Sequence, residues 1–507
     1  MLSADKNREL TQVGAGTPMG EVLRRHWHPI AGVDELERQA IKPVRLLGED
    51  LVLYKDQGGV YGLVDRHCAH RRADLSYGYV EASGIRCNYH GWQYNETGAC
   101  LQQPFEQVAN PGGTLKCKVK LKAYPVQAKA GMLWAYLGPL PAPELPDWEA
   151  FHWPNGFVQV VFAAVPCNWL QAQENSIDPV HFEWMHANWS RRLRGASGGY
   201  APTHLKINFE EIEHGFLYKR VTEDSDETSP LWTIGRVCLW PNGFFLGDHF
   251  EWRVPVDDEN TLSVLWSFIR VPRESEPYVQ ASIPSWHAPV KDAATGQWIT
   301  SHVINQDIVA WAGQGRITDR TQENLGASDR GVALLRRQLF KDMAAVQAGH
   351  DPKGVLRDPA KNHQVFLPSD SRDFFKNGLT LADYQRAGLA TLPGALTWMV
   401  PETRFTEFFL HHDGMLFEHE PWPDSTPDEI AGPKPAVPEV RGGCFGRLPV
   451  PGADVGSAHL QLVAEHGGDV LALAVADQLD RHPLVERQPP AVAGIDRKST
   501  RLNSSHT

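Results

Sequence analysis

The chain has 507 residues, 42% hydrophobic and 22% charged, which is the composition of a globular protein with two or three domains. Its 49 basic and 61 acidic residues give a net charge of −12, which argues against nucleic acid or an anionic membrane surface as a partner. Because no apolar segment approaches the roughly 18 residues that span a bilayer and no signal-peptide core begins the chain, we expect a cytoplasmic protein.

The N-terminal third is predicted to be a small β-rich domain behind a helical lead-in. Residues 1–40 form the lead-in, where Thr17 and Pro18 suit a helix cap and first turn. Residues 41–145 contain short β-rich runs separated by Gly- and Asp-containing turns, a pattern that predicts a meander of antiparallel strands. The domain closes in a proline-rich connector at residues 138–146.

The rest of the chain is predicted to be a second domain with two C-terminal appendages. Residues 146–348 combine alternating β-rich runs with segments of helical periodicity, which predicts an α+β domain with an antiparallel sheet around a long helix. Residues 349–430 carry scattered aromatic residues and are predicted to lie over this domain. Residues 431–507 lack that pattern, and their end resembles the translation of a DNA-sequencing adaptor, so we predict a disordered or artefactual tail.

Two pairs of candidate metal ligands at residues 65–92 give the strongest chemical signal. Cys68 and His70 are followed by sixteen residues and then by Cys87 and His90. Two cysteines and two histidines divided evenly between two tight loops suit a [2Fe-2S] centre in which thiolates hold one iron and imidazoles hold the other. This is the Rieske arrangement, and we predict a Rieske cluster on these four residues.

Two other interpretations of these residues are a structural zinc site and two unrelated Cys/His pairs. Zinc knuckles separate their first two ligands by about two to four residues so that the backbone can turn around one ion, whereas a single residue separates Cys68 from His70.

The remaining cysteines lack the spacing of a disulfide framework and are expected to be buried thiols. They are Cys100, Cys117, Cys167, Cys238 and Cys444.

A second group of candidate metal ligands lies at residues 175–186. It contains Asp178, His181 and His186, with Asn175 three residues before the aspartate. Two imidazoles and one carboxylate can bind Fe(II) on one face and leave the opposite positions open for O₂. Two histidines in an aromatic, partly helical segment are equally compatible with a hydrogen-bonded core, so the residues alone leave both interpretations open.

The spacing of the two histidines adds a geometric constraint. On a regular α-helix with about 100° per residue, His181 and His186 would lie about 140° apart, too far round to share one ion. We therefore predict a local π-type bulge between them, a distortion that is frequent at functional sites.

With both motifs, the chain resembles the catalytic α subunits of the Rieske non-haem iron oxygenases over about residues 10–345. The resemblance implies an all-β Rieske domain, a helix-grip (START-like) catalytic domain, and His181 and His186 as iron ligands. It also implies a carboxylate ligand on a later helix, a position that Asp307 matches best. Nearby alternatives to this residue are Asp319, Glu323 and Asp329.

The same resemblance implies a reaction and partners. Electrons from NAD(P)H would arrive through a flavin reductase or a ferredoxin, and O₂ would oxidise an aromatic substrate at the mononuclear Fe(II). Within the phthalate dioxygenase branch, residues 174–184 are most similar to oxygenase components that O-demethylate dehydrodivanillate, a lignin-derived biphenyl. We therefore expect O-demethylation or hydroxylation of an aromatic acid. The alternatives are cis-dihydroxylation of a phthalate-type ring, electron transfer without catalysis, and a zinc-stabilised binding module.

Several residues near the histidines are candidates for substrate contact. Phe182, Trp184 and Trp189 could line a pocket for an aromatic ring, although such residues also form ordinary cores. Three arginines then follow, which could pair bidentately with a carboxylate or form a solvated basic turn. They are Arg191, Arg192 and Arg194.

Asp178 has two interpretations. It can cap a helix that begins at Pro179, because Asp is a favourable N-cap. In the family, a head-to-tail homotrimer brings the cluster of one subunit to the iron of the next. Asp178 would then accept hydrogen bonds from an iron-binding histidine and from His90 or His70 of the neighbouring subunit.

Overall fold

The structure, a computed structural model, describes residues 2–193, 195–300, 303–380, 458–465 and 470–477. Its strands are β1 (Trp27–Gly32), β2 (Ile41–Leu46), β3 (Glu49–Lys55), β4 (Tyr61–Asp65), β5 (Tyr79–Val80), β6 (Ile85–Arg86), β7 (Gln93–Tyr94), β8 (Cys100–Gln102), β9 (Ala123–Tyr124), β10 (Val126–Lys129), β11 (Met132–Tyr136), β12 (Gly156–Val165), β13 (His204–Ile212), β14 (Gly215–Thr222), β15 (Arg236–Leu239), β16 (Gly243–Phe245), β17 (His249–Asp257), β18 (Asn260–Arg270), β19 (Ser285–His287), β20 (Ala458–Glu465) and β21 (Val470–Asp477). Its α-helices are α1 (Ala4–Thr11), α2 (Pro18–Leu23), α3 (Val33–Arg38), α4 (Pro104–Ala109), α5 (Leu115–Lys118), α6 (Trp169–Asn175), α7 (Trp189–Leu193), α8 (Pro230–Thr233), α9 (Val303–Gly313), α10 (Arg330–Gln347) and α11 (Arg372–Asn377). A π-helix, Phe182–Asn188, lies between α6 and α7.

The first domain is built from three small antiparallel sheets, in the orders β1-β11-β10, β2-β3-β4-β9 and β5-β6-β7-β8. Both faces of β3 are buried because the sheet that contains it is covered on both sides. Val52 and Tyr54 face the loops with the cysteine–histidine pairs, whereas Leu51 and Leu53 face the main apolar core. The prediction of a β-rich domain carrying these loops is confirmed.

The second domain is organised by an eight-stranded sheet in the order β13-β14-β15-β16-β17-β18-β12-β19. Neighbouring strands are antiparallel except for β12 and β19. On one face, which we call the inner face, Ile304 and Trp311 of α9 pack on Val161 and Leu265, and α6 and the π-helix lie beside them. The predicted α+β class is confirmed, although the longest helix, α10, packs against α1 and α2 instead of this face.

The outer face of the large sheet joins the two domains. Trp134 of β11 meets Trp252 of β17 edge to face, with 5.0 Å between ring centroids, and both belong to one continuous apolar core. Residues 349–380 also contact this domain, where the Ser371 hydroxyl donates to the carbonyl of Leu246 at 2.9 Å. The domain boundaries stay predictions.

A buried ion cluster fixes the end of α6. Glu174 is buried and binds Arg320 at 2.7 Å and Arg336 at 2.6 Å, and Arg320 also donates to Asn7 of α1 at 3.2 Å. Burial alone would raise the pKa of Glu174, but the two guanidinium groups lower it below its ordinary value. The cluster therefore ties α1, α6 and α10 together one residue before Asn175.

The remaining cysteines are mostly buried, as predicted. Burial raises the pKa of Cys100 to about 11 and of both Cys167 and Cys238 to about 12. Cys117 is exposed, so that prediction was wrong for this residue, because the short helix α5 buries none of its residues. Cys444 lies outside the described residues, as do the predicted extension beyond residue 380 and most of the predicted tail, in which β20 and β21 pair antiparallel.

The buried His28 links stability to pH. It lies fully buried in β1, and its Nε2–H donates to the carbonyl of Leu23 at 2.8 Å. Burial lowers the pKa of His28 from 6.5 to about 4, and the nearby Arg24 acts in the same direction. Between these values the unfolded chain takes up a proton that the folded chain does not, so stability is lost as the pH falls through this window.

We predict that His28→Gln, which keeps an amide donor for Leu23 but does not titrate, makes the melting temperature less sensitive to acid. At about pH 5 the wild-type penalty is roughly 2 kcal/mol, because each pKa unit corresponds to about 1.4 kcal/mol. Thermal unfolding followed by circular dichroism at neutral and mildly acidic pH measures the difference. Equal acid sensitivity in both proteins would contradict the assignment.

Candidate metal centres

The two cysteine–histidine loops have the same backbone geometry. The N–H groups of Cys68 and Cys87 each donate at 2.8 Å to the carbonyl five residues later. Their carbonyls accept from the N–H groups four residues later, those of Arg72 and Gly91, whose φ angles are 61° and 73°. This left-handed conformation suits the glycine better than the arginine. The matched turns present both pairs at one end of the domain.

The side chains of these loops form a layered arrangement. Cys68 and Cys87 are buried, His70 is half-buried and His90 is exposed. The two imidazole rings lie 4.5 Å apart, and Trp92 stacks on His70 at 4.5 Å. Thiols inside and imidazoles outside fit a [2Fe-2S] cluster with its cysteine-bound iron buried and its histidine-bound iron near the surface.

The π-helix solves the spacing problem of the two histidines in the second domain. His181 immediately precedes Phe182–Asn188, and His186 lies within it. The wider π turn brings residues five apart onto one side of the helix, and the two imidazole rings lie 5.1 Å apart. The predicted π-type bulge is confirmed.

Helix α9 supplies a carboxylate to the same place. Asp307 Oδ1 lies 3.3 Å from Nε2 of His186 and 3.7 Å from Nε2 of His181, and one ligand atom of each residue lies within 4.8 Å of the others. The Asn175 amide donates to the same Oδ1 at 3.1 Å. Two imidazole nitrogens and one carboxylate oxygen, all partly or fully buried, fit Fe(II) with an open side.

The structure places the alternative carboxylates elsewhere. Asp319 accepts the N–H of Thr321 in an exposed turn, and Asp329 accepts the N–H of Gly326. Glu323 forms an ion pair with Arg336 at 2.6 Å. Among the described residues, only Asp307 joins the two histidines in a group that could hold a metal ion.

Asp178 both caps the turn and faces a histidine. Its Oδ1 accepts the N–H of Val180 at 2.8 Å, and its Oδ2 lies 3.8 Å from Nδ1 of His181. Burial raises the pKa of Asp178, but the His181 imidazole and the Val180 N–H outweigh this effect and lower it. The side chain of Asp178 is 30% exposed, so it remains partly accessible from outside the chain.

The aromatic residues of the π-helix divide between the inside and the outside of the domain. Phe182 is buried, with its ring centroid 4.4 Å from that of His181 and 5.3 Å from that of His186. Trp184 is 55% exposed and packs against Tyr200, contrary to its predicted place in a pocket, because it lies on the outer side of the π-helix. Phe182 thus borders both histidines of the candidate iron site.

Of the three arginines that sequence analysis selected, Arg192 contacts the turn that follows α7. Arg192 donates to the carbonyls of Ala196, Gly198 and Gly199, which corresponds to the basic-turn interpretation. Arg194 lies outside the described residues.

Sequence analysis missed two buried arginines beside Phe182. The guanidinium carbons of Arg220 and Arg236 lie 4.8 and 5.8 Å from its ring centroid. Arg236 also pairs with Asp370 at 3.0 Å. The sequence does contain a signal for Arg220, because it lies two residues after Tyr218 in β14 and therefore points to the same face of the sheet. A charged residue at such an inward-facing position is unusual.

Comparison with known proteins identifies the relatives of this chain. Residues 26–125 match the family model for the Rieske [2Fe-2S] domain, and residues 292–366 match a model described as LigXa C-terminal domain like. The chain is 63% identical over 388 residues to the 5,5'-dehydrodivanillate O-demethylase oxygenase subunit of Sphingobium sp. (strain NBRC 103272 / SYK-6), covering 76% of this chain and 91% of that protein.

Two further relatives are more distant. The phenoxybenzoate dioxygenase subunit alpha of Ectopseudomonas oleovorans is 34% identical over 372 residues, covering 68% of this chain and 87% of that protein. The phthalate 4,5-dioxygenase oxygenase subunit of Pseudomonas putida is 31% identical over 402 residues, covering 70% and 89%. All three relatives are oxygenase subunits.

A Rieske domain followed by a domain with a two-histidine, one-carboxylate group defines an iron-dependent oxygenase that uses O₂. The chain belongs to the Rieske non-haem iron oxygenases, as a catalytic oxygenase subunit of the phthalate dioxygenase branch. The family membership confirms the predicted cofactors, a Rieske [2Fe-2S] cluster and a mononuclear iron centre. Within the described residues, no helix has the length and apolar character needed to cross a bilayer.

We predict that Tyr94→Phe lowers the reduction potential of the cluster by an amount on the order of tens of millivolts. Tyr94 Oη lies 3.2 Å from Sγ of Cys68, and burial raises the pKa of Tyr94, so the hydroxyl stays protonated and can donate. A hydrogen bond to a ligating sulfur favours the more negative reduced cluster. Redox titration measures the shift, and an unchanged potential in a variant with full iron and sulfide content would contradict it.

Proposed function

We propose that this chain O-demethylates a two-ring, methoxylated aromatic acid, using O₂ and two electrons delivered from NAD(P)H by a reductase. The observation that carries the proposal is the 63% identity to a 5,5'-dehydrodivanillate O-demethylase oxygenase subunit over 91% of that protein. The balanced reaction converts an aryl methyl ether, O₂, two electrons and two protons into a phenol, formaldehyde and water.

We assign the metal ligands as follows. Cys68, His70, Cys87 and His90 hold the cluster, and a group of three residues from the π-helix and α9 holds the iron. These three are His181, His186 and Asp307. When bound, the iron supplies the activation of O₂.

The surrounding residues of the chain orient these ligands. The Asn175 amide donates to Asp307 Oδ1 and so restrains the rotation of the carboxylate. The ion cluster of Glu174 fixes the end of α6, from which the Asn175 side chain projects.

Phe182 and Arg220 support an aromatic acid as the substrate. Phe182 borders the two histidines, and the buried guanidinium of Arg220 lies 4.8 Å from its ring centroid. An aromatic ring can pack against the phenyl side chain while a carboxylate pairs with a guanidinium. Arg220 is the better candidate of the two arginines because its guanidinium carbon lies nearer to this ring, at 4.8 Å against 5.8 Å for Arg236.

The alternative function is cis-dihydroxylation of a phthalate-type ring, which the similarity to a phthalate 4,5-dioxygenase subunit favours. The product separates the two functions. We would supply the purified protein with NADH, a flavin–iron–sulfur reductase and either dehydrodivanillate or phthalate. Formaldehyde and a phenol from the first compound are expected. A diol from phthalate alone would establish the alternative, and no product with both metals loaded would overturn both.

We predict that His181→Ala and Asp307→Ala lose the mononuclear iron and the activity but keep the visible spectrum of the cluster, because the two metals have separate ligand sets. Asp319→Ala is the matched control, since Asp319 is a carboxylate in an exposed turn. It should retain both metals. Metal analysis with visible spectroscopy measures the outcome. Loss of the cluster in His181→Ala and Asp307→Ala would contradict the assignment of two separate metal sites.

We also propose that the active form is a head-to-tail homotrimer. In one chain the described ring contacts of the cluster histidines, with each other and with Tyr89 and Trp92, stay within the first domain, whereas residues 175–186 lie in the second. His90 is exposed and Asp178 is 30% exposed, so the two could meet across a subunit boundary. Asp178 would then connect an iron-binding histidine with a cluster histidine of the neighbouring subunit.

We predict that Asp178→Asn leaves a folded trimer with both metals but slows electron passage from cluster to iron by orders of magnitude. Asparagine still caps the turn, because Asn and Asp are comparable N-caps, but its neutral amide is a poor acceptor for two imidazole N–H groups. Reoxidation of the reduced cluster in a single turnover measures the rate. A wild-type rate would exclude the bridge and leave Asp178 as a cap only.

A further inference from the structure

We propose that Gln306 is a positioning residue that selects the tautomer of His186 and couples it to the helix that carries Asp307. This inference rests on the proposed function of these two residues as iron ligands. Gln306 lies in α9 immediately before Asp307 and is 1% exposed. Gln306 adjoins Asp307 in the sequence, but the hydrogen bonds described for its side chain go to other residues and not to the Asp307 carboxylate.

The Gln306 amide has three partners. One amide atom lies 3.1 Å from Nδ1 of His186, and the other lies 2.9 Å from the Ser190 hydroxyl and 3.2 Å from the carbonyl oxygen of Thr300. The two ends of a glutamine amide are difficult to distinguish by shape, so the partners must decide which is nitrogen and which is oxygen.

The Thr300 carbonyl decides the orientation. A carbonyl oxygen only accepts hydrogen bonds, so the Gln306 atom that faces it is the amide nitrogen, and the atom that faces His186 is the amide oxygen. That oxygen also only accepts, so Nδ1 of His186 carries the hydrogen. A neutral imidazole has a single N–H, which leaves the Nε2 lone pair directed to the side of Asp307.

The same contacts join two helices. His186 lies in the π-helix and Ser190 in α7, four residues later, whereas Gln306 and Asp307 lie next to each other in α9. A single buried side chain therefore restrains the imidazole and the segment behind it relative to the carboxylate. Without this acceptor, the imidazole is free to present an N–H instead of a lone pair to the metal.

The substitution Gln306→Met tests the inference because it keeps the length of the side chain and removes its hydrogen-bonding groups. Fe(II) alone would be titrated into protein whose mononuclear site has been emptied. We expect it to bind Gln306→Met about 10- to 100-fold more weakly than it binds the wild-type protein. The substitution Gln306→Glu retains an acceptor for the Nδ1–H of His186 and should keep the affinity within a few-fold of wild type. The visible spectrum of the cluster should be unchanged in both variants.

Gln171 provides a matched control. It is also 1% exposed, and its amide donates to the carbonyls of Trp311 at 2.6 Å and Gly315 at 2.9 Å, at the other end of α9. Gln171→Met therefore loses comparable buried hydrogen bonds without a histidine partner. We expect a lower melting temperature in this variant but the wild-type affinity for Fe(II).

A spectroscopic signature separates positioning from stability. The electron paramagnetic resonance signal of the nitric oxide adduct of Fe(II) reports the geometry of the ligands, and we expect it to change in both Gln306 variants and not in Gln171→Met. If Gln306→Met does not fold, the signal of Gln306→Glu carries the test. An unchanged signal and affinity in Gln306→Met, an unchanged signal in Gln306→Glu, or an equal loss of affinity in Gln171→Met would overturn the inference. Wild-type Fe(II) affinity in His186→Ala would instead overturn the ligand assignment beneath it.

Discussion

The second metal site depends on a helix that departs from α geometry. His181 and His186 lie five positions apart in the sequence, and only the wider π turn brings both rings to one side, 5.1 Å apart. Once they converge there, Phe182 is enclosed beside them and Trp184 is directed outward. The local backbone conformation thus sets both the ligand geometry and the boundary between the interior of the domain and its surface.

The rest of the domain holds a second helix against this one. Apolar residues of α9, including Ile304 and Trp311, pack on the inner face of the sheet. This packing fixes the position of Asp307, which lies in the same helix, relative to the sheet. Polar contacts then orient the side chains, because the Asn175 amide donates to Asp307 Oδ1 and the neighbouring Gln306 binds the imidazole of His186. Packing and hydrogen bonding therefore act on different degrees of freedom of the same site, which is why neither set of contacts alone defines it.

Local features could be predicted from the sequence, and long-range features could not. The cluster motif and the π turn followed from the spacing of four ligands and two histidines, because both depend on neighbouring residues. Asp307 required resemblance to a family, since it lies 121 residues after His186. Gln306 and Glu174 were missed because the side chains that they bind, His186 and Arg320 respectively, are more than a hundred residues away, so no periodicity marks them. Cys117 and Trp184 were misplaced because propensity does not reveal which side of a short helix faces solvent.

The edge-to-face pair of Trp134 and Trp252 belongs to one continuous apolar core that the two domains share. A hinge between them would have to open a continuous apolar core, so the cluster cannot swing toward the iron of its own chain as a domain on a flexible linker would. This has a practical consequence for chimaeric enzymes. A first domain transplanted from a relative must carry aromatic residues that complement the outer face of the sheet, or the hybrid will leave part of this shared core unfilled.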